Sequence, residues 1–283
     1  MVSSDPSVDW FTRSGATSLK GVAVVIPGLN LNPDRMAAVI SALNMAGIDA
    51  ARLSLQGHGL NFQRQHGMNA SEARLESFKC VSYPLWSQET LGAYEQARQS
   101  ARQNQVPLFL IAFSYGGLMG LDLLASREDV RFHRAVLFAP ALSLRGWDYA
   151  IRLFSPFPRM VIPALAPAAY LANPGTPIAG YNVLFETLDH FESRIGLQLN
   201  IPTLVIMDPG DELVSYDGLK RLAAEHRLDR WQFYPVRNHR SLLKGMLRHI
   251  VIDEASLGQD AWSKVKTALV THLLADHVSQ DPV

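Results

Sequence analysis

Short apolar runs alternate with amphipathic stretches along most of the chain. The apolar runs are rich in β-branched and aromatic residues and end at turn residues, which predicts strands at residues 21–26, 48–55, 107–113, 134–139, 203–207 and 231–234. Apolar residues at helical spacing predict helices at residues 33–47, 87–103, 117–126, 216–226 and 260–277. Because buried strands that alternate with helices form parallel sheets covered on both faces, the pattern predicts an α/β fold with a mostly parallel central sheet.

Two stretches interrupt this alternation. Residues 60–86 form a long polar stretch, whereas residues 141–200 are apolar but contain many prolines. Four prolines within residues 155–167 rule out one straight helix there, since proline removes a backbone donor and clashes with the preceding turn. The second stretch therefore predicts an insertion that is folded back on itself.

The run LIAFSYGGLMG, residues 110–120, sets Ser114 between a buried strand and a helix. Open α/β sheets bind ligands at this end of their strands, and the small residues Ala112, Gly116 and Gly117 let the strand and helix approach closely. Ser114 is thus a candidate nucleophile. A tight turn with serine as the helix N-cap is the alternative reading of the same residues.

A serine nucleophile needs a base and an acid that orients the base. The run DPGDE, residues 208–212, follows a predicted strand, and we favour Asp211 as the acid over Asp208, its runner-up. His239 lies in a polar loop after the next strand and is our candidate base, whereas His249 falls on a predicted helix. The order Ser114, Asp211, His239 is that of α/β-hydrolases.

At these residues the chain resembles the α/β-hydrolase fold superfamily, in its monoacylglycerol lipase, lysophospholipase and carboxylesterase-like branch. Besides AFSYG, the resemblance is carried by VAVVIPGLN at 22–30, LSLQGHGLN at 53–61 and GDELV at 210–214. Pro27, Gln56 and Ala112 depart from the usual residues, which leaves the subfamily open.

The resemblance implies further roles. The backbone N–H groups of Leu29 and Tyr115 would form the oxyanion hole, and His58 would be a structural loop residue. Residues 1–140 and 201–283 would form the α/β-hydrolase core domain, and residues 141–200 a helical cap, or lid, inserted into it. Side chains expected to line a substrate pocket beneath the cap are Phe154, Phe157, Met160 and Ile162.

The composition mainly indicates which classes of partner and location are not expected. The 283 residues carry 26 Lys and Arg against 26 Asp and Glu, so charge gives no reason to expect a nucleic-acid partner. A single cysteine, the absence of a signal-peptide pattern and the lack of a long apolar run predict a cytoplasmic protein without a membrane segment. The oligomeric state stays open.

Together these features predict a serine hydrolase that cleaves a small hydrophobic carboxylic ester through an acyl-enzyme, as an esterase or lipase does. The predicted chemistry needs neither metal nor organic cofactor. Amide, thioester, lactone or carbon–carbon bonds remain open to the same machinery, and so does a non-catalytic binding protein on the same fold.

Overall fold

A seven-stranded sheet forms the centre of the protein. The computed structural model describes residues 7–15, 17–164, 166–238 and 248–275. Within this part of the chain the strand order is β1-β3-β2-β4-β5-β8-β9, and every neighbouring pair is parallel except β1 with β3. The strands of this sheet are β1 Val8–Phe11, β2 Gly21–Ile26, β3 Ile48–Leu53, β4 Leu108–Phe113, β5 Arg134–Phe138, β8 Thr203–Met207 and β9 Trp231–Pro235. The predicted α/β architecture with a mostly parallel sheet is therefore confirmed.

Helices cover both faces of the sheet, as expected for strands whose residues are buried throughout. They are α1 Ala37–Met45, α2 Ala70–Phe78, α3 Tyr83–Asn104, α4 Tyr115–Ser126, α5 Ile178–Glu192, α6 Tyr216–Glu225, α7 Glu254–Leu257 and α8 Gln259–Leu274. Helix α2 lies in the stretch predicted as polar and irregular, where Asn69 and Glu72 form a capping box. The edge strand β1 was also missed, because its four residues are too short to show a period.

The proline-rich stretch consists of short elements followed by one longer helix. It contains 3₁₀ turns at Gly146–Phe154 and Ala168–Tyr170, the antiparallel strands β6 Val161–Pro163 and β7 Gly175–Pro177, and then α5. This division follows from the prolines, which end each element within a few residues.

Helix α5 packs along α4, the helix that begins immediately after Ser114. Near the start of α4, the hydroxyls of Tyr115 and Thr187 are 3.1 Å apart. Farther along, His190 Nδ1 lies 2.6 Å from Asp122 Oδ1. The stretch 141–200 is therefore tied to the core through the helix that carries the site.

No helix in the described ranges is both long and apolar enough to cross a bilayer.

Candidate active site

Ser114 occupies a sharp turn between β4 and α4. Its backbone has φ 54° and ψ −120°, a conformation that side-chain-bearing residues rarely adopt. The surrounding backbone holds it there: Ser114 N–H donates to Phe138 O at 2.8 Å, and Ala141 N–H donates to Ser114 O at 3.0 Å. Strain of this kind costs on the order of 1–3 kcal/mol and concentrates at functional sites.

The residues around this turn are small because there is no room for larger ones. A Cβ on Gly116 would meet the carbonyl of Ile26 and lie 2.5 Å from that of Pro27. A Cβ on Gly117 would lie 2.8 Å from Pro140 Cβ. Ala112, by contrast, is fully buried in the middle of the sheet and its methyl group is accommodated. Alanine at this position is therefore compatible with the turn.

Asp211 lies in the loop after β8 and is fully buried. Its Oδ1 accepts the backbone N–H groups of Leu213, at 2.8 Å, and Val214, at 3.0 Å. These two bonds fix the carboxylate and leave Oδ2 directed at His249, whose Nδ1 is 2.7 Å away.

Asp208, the alternative acid, is engaged elsewhere. One oxygen accepts the N–H of Gly210 at 2.7 Å, and the other accepts the N–H of Asn238 at 2.8 Å. Asp208 thus joins the loop after β8 to the loop after β9, and both of its oxygens are bound to backbone.

The predicted base, His239, lies outside the described residues. The imidazole that contacts both Asp211 and Ser114 belongs to His249, which is in a turn and not in the predicted helix. Ser114 Oγ donates to His249 Nε2 at 2.7 Å, and Nδ1 donates to the carboxylate of Asp211 at 2.7 Å. Because both ring nitrogens are engaged, His249 takes the place that we had assigned to His239.

Two features of the neighbouring residues concern the position of His249 in the site. The residues that follow it, 250–252, are apolar and buried, as a segment anchored in the core would be. In addition, Asn238 Nδ2 donates to Ile250 O at 3.1 Å, so Ile250 lies beside a residue that closely follows β9. The apolar run is visible in the sequence, whereas this contact is not.

The loop of residues 27–32, called here the β2 loop, faces Ser114. Leu29 lines the same cavity as Ser114, and Tyr115 is the first residue of α4. Asn30 has φ 55°, and its backbone N–H donates to His58 Nε2 at 2.9 Å.

His58 is buried against aromatic rings, with the ring of Phe78 centred 4.7 Å away. Burial lowers the pKa of His58 from 6.5 to about 4. The imidazole is therefore neutral at neutral pH, which leaves Nε2 free to accept the Asn30 N–H. His58 holds the β2 loop from the core side.

The segment 170–173 meets the β2 loop from the other side. Ala172 N–H donates to Asn30 O at 2.9 Å, and Asn32 N–H donates to Tyr170 O at 2.8 Å, in the manner of a short antiparallel pair. Arg35 reinforces the contact, because its Nε donates to the carbonyl of residue 169 at 2.7 Å.

A cavity of about 420 Å³ opens onto Ser114 and His249. Its wall is mostly aliphatic and aromatic and includes Ile162, as predicted. Glu212 also lines it. Its Oε1 accepts the N–H of Arg248 at 3.2 Å, and its Oε2 is buried with no hydrogen-bond partner in the part of the chain that the structure describes.

The other three side chains predicted for the pocket lie on the outer surface. Phe154, Phe157 and Met160 are 45%, 62% and 38% exposed, and they are not part of the cavity wall. Phe154 is the last residue of the 3₁₀ turn, and Phe157 and Met160 lie in the connection between this turn and β6, which begins at Val161.

Solved structures share this fold at low sequence identity. A soluble variant of the monoglyceride lipase from Saccharomyces cerevisiae, in complex with a substrate analogue, is 12% identical with a TM-score of 0.71 over 94% of this chain and 91% of that one. A monoacylglycerol lipase of Paleococcus ferrophilus is 16% identical, with a TM-score of 0.64 over 94% and 98%. A thermostable carboxyl esterase from Bacillus coagulans is 12% identical, with a TM-score of 0.64 over 94% and 92%.

No curated protein matches the chain in sequence. The family described as serine aminopeptidase, S33 (Hydrolase_4) matches residues 17–182, more than half of the 283 residues. The resemblance to the α/β-hydrolases is thereby confirmed, and monoacylglycerol lipases are among the proteins that share the fold. The chain belongs to the serine aminopeptidase S33 family of α/β-hydrolases.

Proposed function

We propose that the protein is a serine hydrolase that cleaves carboxylic esters through an acyl-enzyme. The observation that carries the proposal is the continuous chain of hydrogen bonds from Ser114 Oγ through His249 to Asp211, each 2.7 Å long. Distances of this length are what proton transfer from a serine to a histidine requires.

In the proposed mechanism, His249 takes the proton of Ser114 as the hydroxyl attacks the ester carbonyl. Asp211 holds the imidazole with Nδ1 protonated and stabilises the imidazolium that forms. His249 then gives the proton to the departing alcohol. In the second half, His249 activates a water molecule that releases the acid from Ser114.

The backbone N–H groups of Leu29 and Tyr115 are the proposed oxyanion donors. The N–H of Tyr115 belongs to the first turn of α4, where amides have no partner within the helix. Preorganised donors of this kind contribute on the order of 3 kcal/mol each to transition-state binding.

We further propose that residues 141–200 act as a cap over this site. Ile151, Ile162 and Leu184 come from this stretch and line the cavity beside Ser114. An apolar wall favours an apolar acyl or aryl group, and the carboxylate of Glu212 disfavours an anionic substrate. An uncharged hydrophobic ester fits both features, and lipases and esterases are among the proteins of similar fold.

A fluorophosphonate probe, which reacts covalently with activated serines, tests the proposal and the identity of the base together. The wild-type protein should be labelled, and Ser114→Ala and His249→Ala should not be. His239→Ala is the matched control and should be labelled like the wild type. Folded wild-type protein that resists labelling would exclude serine hydrolysis and leave a binding role on the same fold.

A series of p-nitrophenyl esters of increasing acyl length then measures which acyl lengths the pocket accepts. We expect kcat/KM to rise from acetate towards medium acyl chains and to fall when the acyl chain outgrows the cavity. Highest activity on the acetate would contradict the apolar pocket proposed beneath residues 141–200.

A further inference from the structure

The β2 loop is held by a pair of buried asparagines that come from distant parts of the chain. Asn30 and Asn173 are 143 residues apart and each is only 2% exposed. Asn173 belongs to the segment 170–173, within the stretch proposed as the cap. Buried amides are costly unless they are hydrogen-bonded. Both amide groups of Asn30 and the Nδ2 of Asn173 have partners, whereas Asn173 Oδ1 has none among the described residues.

The side chain of Asn30 binds the backbone of Asn173 through two hydrogen bonds. Asn30 Oδ1 accepts the backbone N–H of Asn173 at 2.9 Å, and Asn30 Nδ2 donates to Asn173 O at 3.1 Å. The side chain of Asn173 donates from Nδ2 to the same Asn30 Oδ1 at 3.3 Å. Asn173 Nδ2 also donates to Gly57 O at 2.9 Å, next to His58. Asn173 therefore joins the β2 loop to the loop that carries His58.

These contacts fix the backbone next to Leu29. Asn30 is in the left-handed region, and both of its backbone groups are bound, N–H to His58 and C=O to Ala172 N–H. The N–H belongs to the peptide that joins residues 29 and 30, and the C=O to the peptide that follows it, so both peptides that flank Asn30 are held. The next peptide towards the N-terminus carries the N–H of Leu29, and its rotation is limited by this fixed neighbour.

We propose that Asn173 is a positioning residue, through which the stretch 141–200 orients the Leu29 N–H towards the oxyanion. This rests on the proposed hydrolysis at Ser114 and on Leu29 as an oxyanion donor. Asn173 does not line the cavity, so it acts on the reaction only through Asn30 and the β2 loop.

The test separates transition-state binding from substrate binding. Asn173→Ala removes the bonds from Nδ2 to Asn30 Oδ1 and Gly57 O, and it keeps the two bonds made by the backbone of residue 173. For this variant we expect kcat on a p-nitrophenyl ester to fall about 10-fold while KM changes by less than about twofold. A trifluoromethyl ketone places an oxyanion in the same hole when Ser114 adds to it. Its inhibition constant should therefore rise by about the factor by which kcat/KM falls.

Two further variants make the test specific. Asn182→Ala removes a hydrogen bond to Ser155 within the same stretch, at 3.1 Å and away from the β2 loop, and should leave kcat unchanged. Asn30→Gly keeps the left-handed backbone accessible but removes the amide that meets Asn173. It also removes both bonds to the backbone of Asn173, so kcat should fall at least as much as in Asn173→Ala. The double variant Asn30→Gly with Asn173→Ala should lose little more than Asn30→Gly alone.

The outcomes distinguish this inference from the function on which it rests. An inactive, unlabelled wild type overturns both. An active wild type with full kcat and unchanged ketone inhibition in Asn173→Ala and Asn30→Gly overturns the positioning role alone. Fully additive losses in the double variant also overturn it, because the two residues would then act separately.

Discussion

His58 should make the stability of the protein depend on pH in a defined direction. Its pKa falls from 6.5 to about 4 because the ring is buried. Between these two pH values the unfolded chain binds a proton that the folded protein does not. The free energy of unfolding is thus highest above pH 6.5 and decreases as the pH falls towards 4.

The perturbation is His58→Gln, which has no titrating ring and keeps an acceptor for the Asn30 N–H. With pKa values of 6.5 unfolded and about 4 folded, His58 should lower the free energy of unfolding by about 2 kcal/mol between pH 7 and pH 5. Burial also lowers the pKa of His272, which acts in the same direction. Its effect is common to both proteins and cancels in their difference.

Equilibrium unfolding in urea gives the free energy of unfolding of the wild type and of the variant at pH 7 and at pH 5. The effect of His58 is the change between the two pH values in the wild type minus the same change in the variant. The wild type should lose about 2 kcal/mol more than His58→Gln between the two pH values. Equal losses in the two proteins would refute the reasoning, because a buried, neutral His58 must contribute to the pH dependence of stability between pH 5 and pH 7. A larger loss in the variant would reverse the sign and refute it as well.

Three further predictions concern the site. Gly116→Ala should abolish esterase activity and lower the urea midpoint, because its methyl group meets backbone carbonyls; full activity would contradict the tight turn. Asp211→Asn should reduce kcat about 10⁴-fold with little loss of fold, whereas Asp208→Asn should mainly reduce stability in urea; the reverse pattern would make Asp208 the acid. Ile162→Trp should shift the ester series towards short acyl chains, whereas Phe157→Trp on the exposed surface should not; equal shifts would contradict the assigned wall.

The parts of the site that depend on local geometry were predictable from sequence. The turn at Ser114 requires small neighbours within a few residues, and the pattern of strand, glycines and helix displays that requirement. Asp211 is also marked by local sequence, since it lies four residues after the end of the buried strand β8. Both lie within a few residues of the end of a strand, where short-range sterics decide the outcome.

His249 and the cavity wall depend on contacts between distant residues. His249 lies beside Asp211, and the next residue, Ile250, accepts a hydrogen bond from the amide of Asn238; no short sequence pattern encodes these contacts. The apolar residues 153–162 all looked suitable for a pocket, but the bends between short elements decide which of them face inward. The hydrophobicity of this stretch indicated that some of its side chains are buried, but it did not indicate which ones.

The pairing of the β2 loop with residues 170–173 also bears on the order in which the protein can assemble. Contacts between residues separated by 143 positions form late in folding, because a long segment must first be closed. During synthesis from the N-terminus, Ser114 and its helix emerge well before Asn173 and His249. A nascent chain ending near residue 140 would carry the serine turn but neither its base nor the second support of the β2 loop. Hydrolytic activity should thus be acquired only after residue 249 has joined the fold.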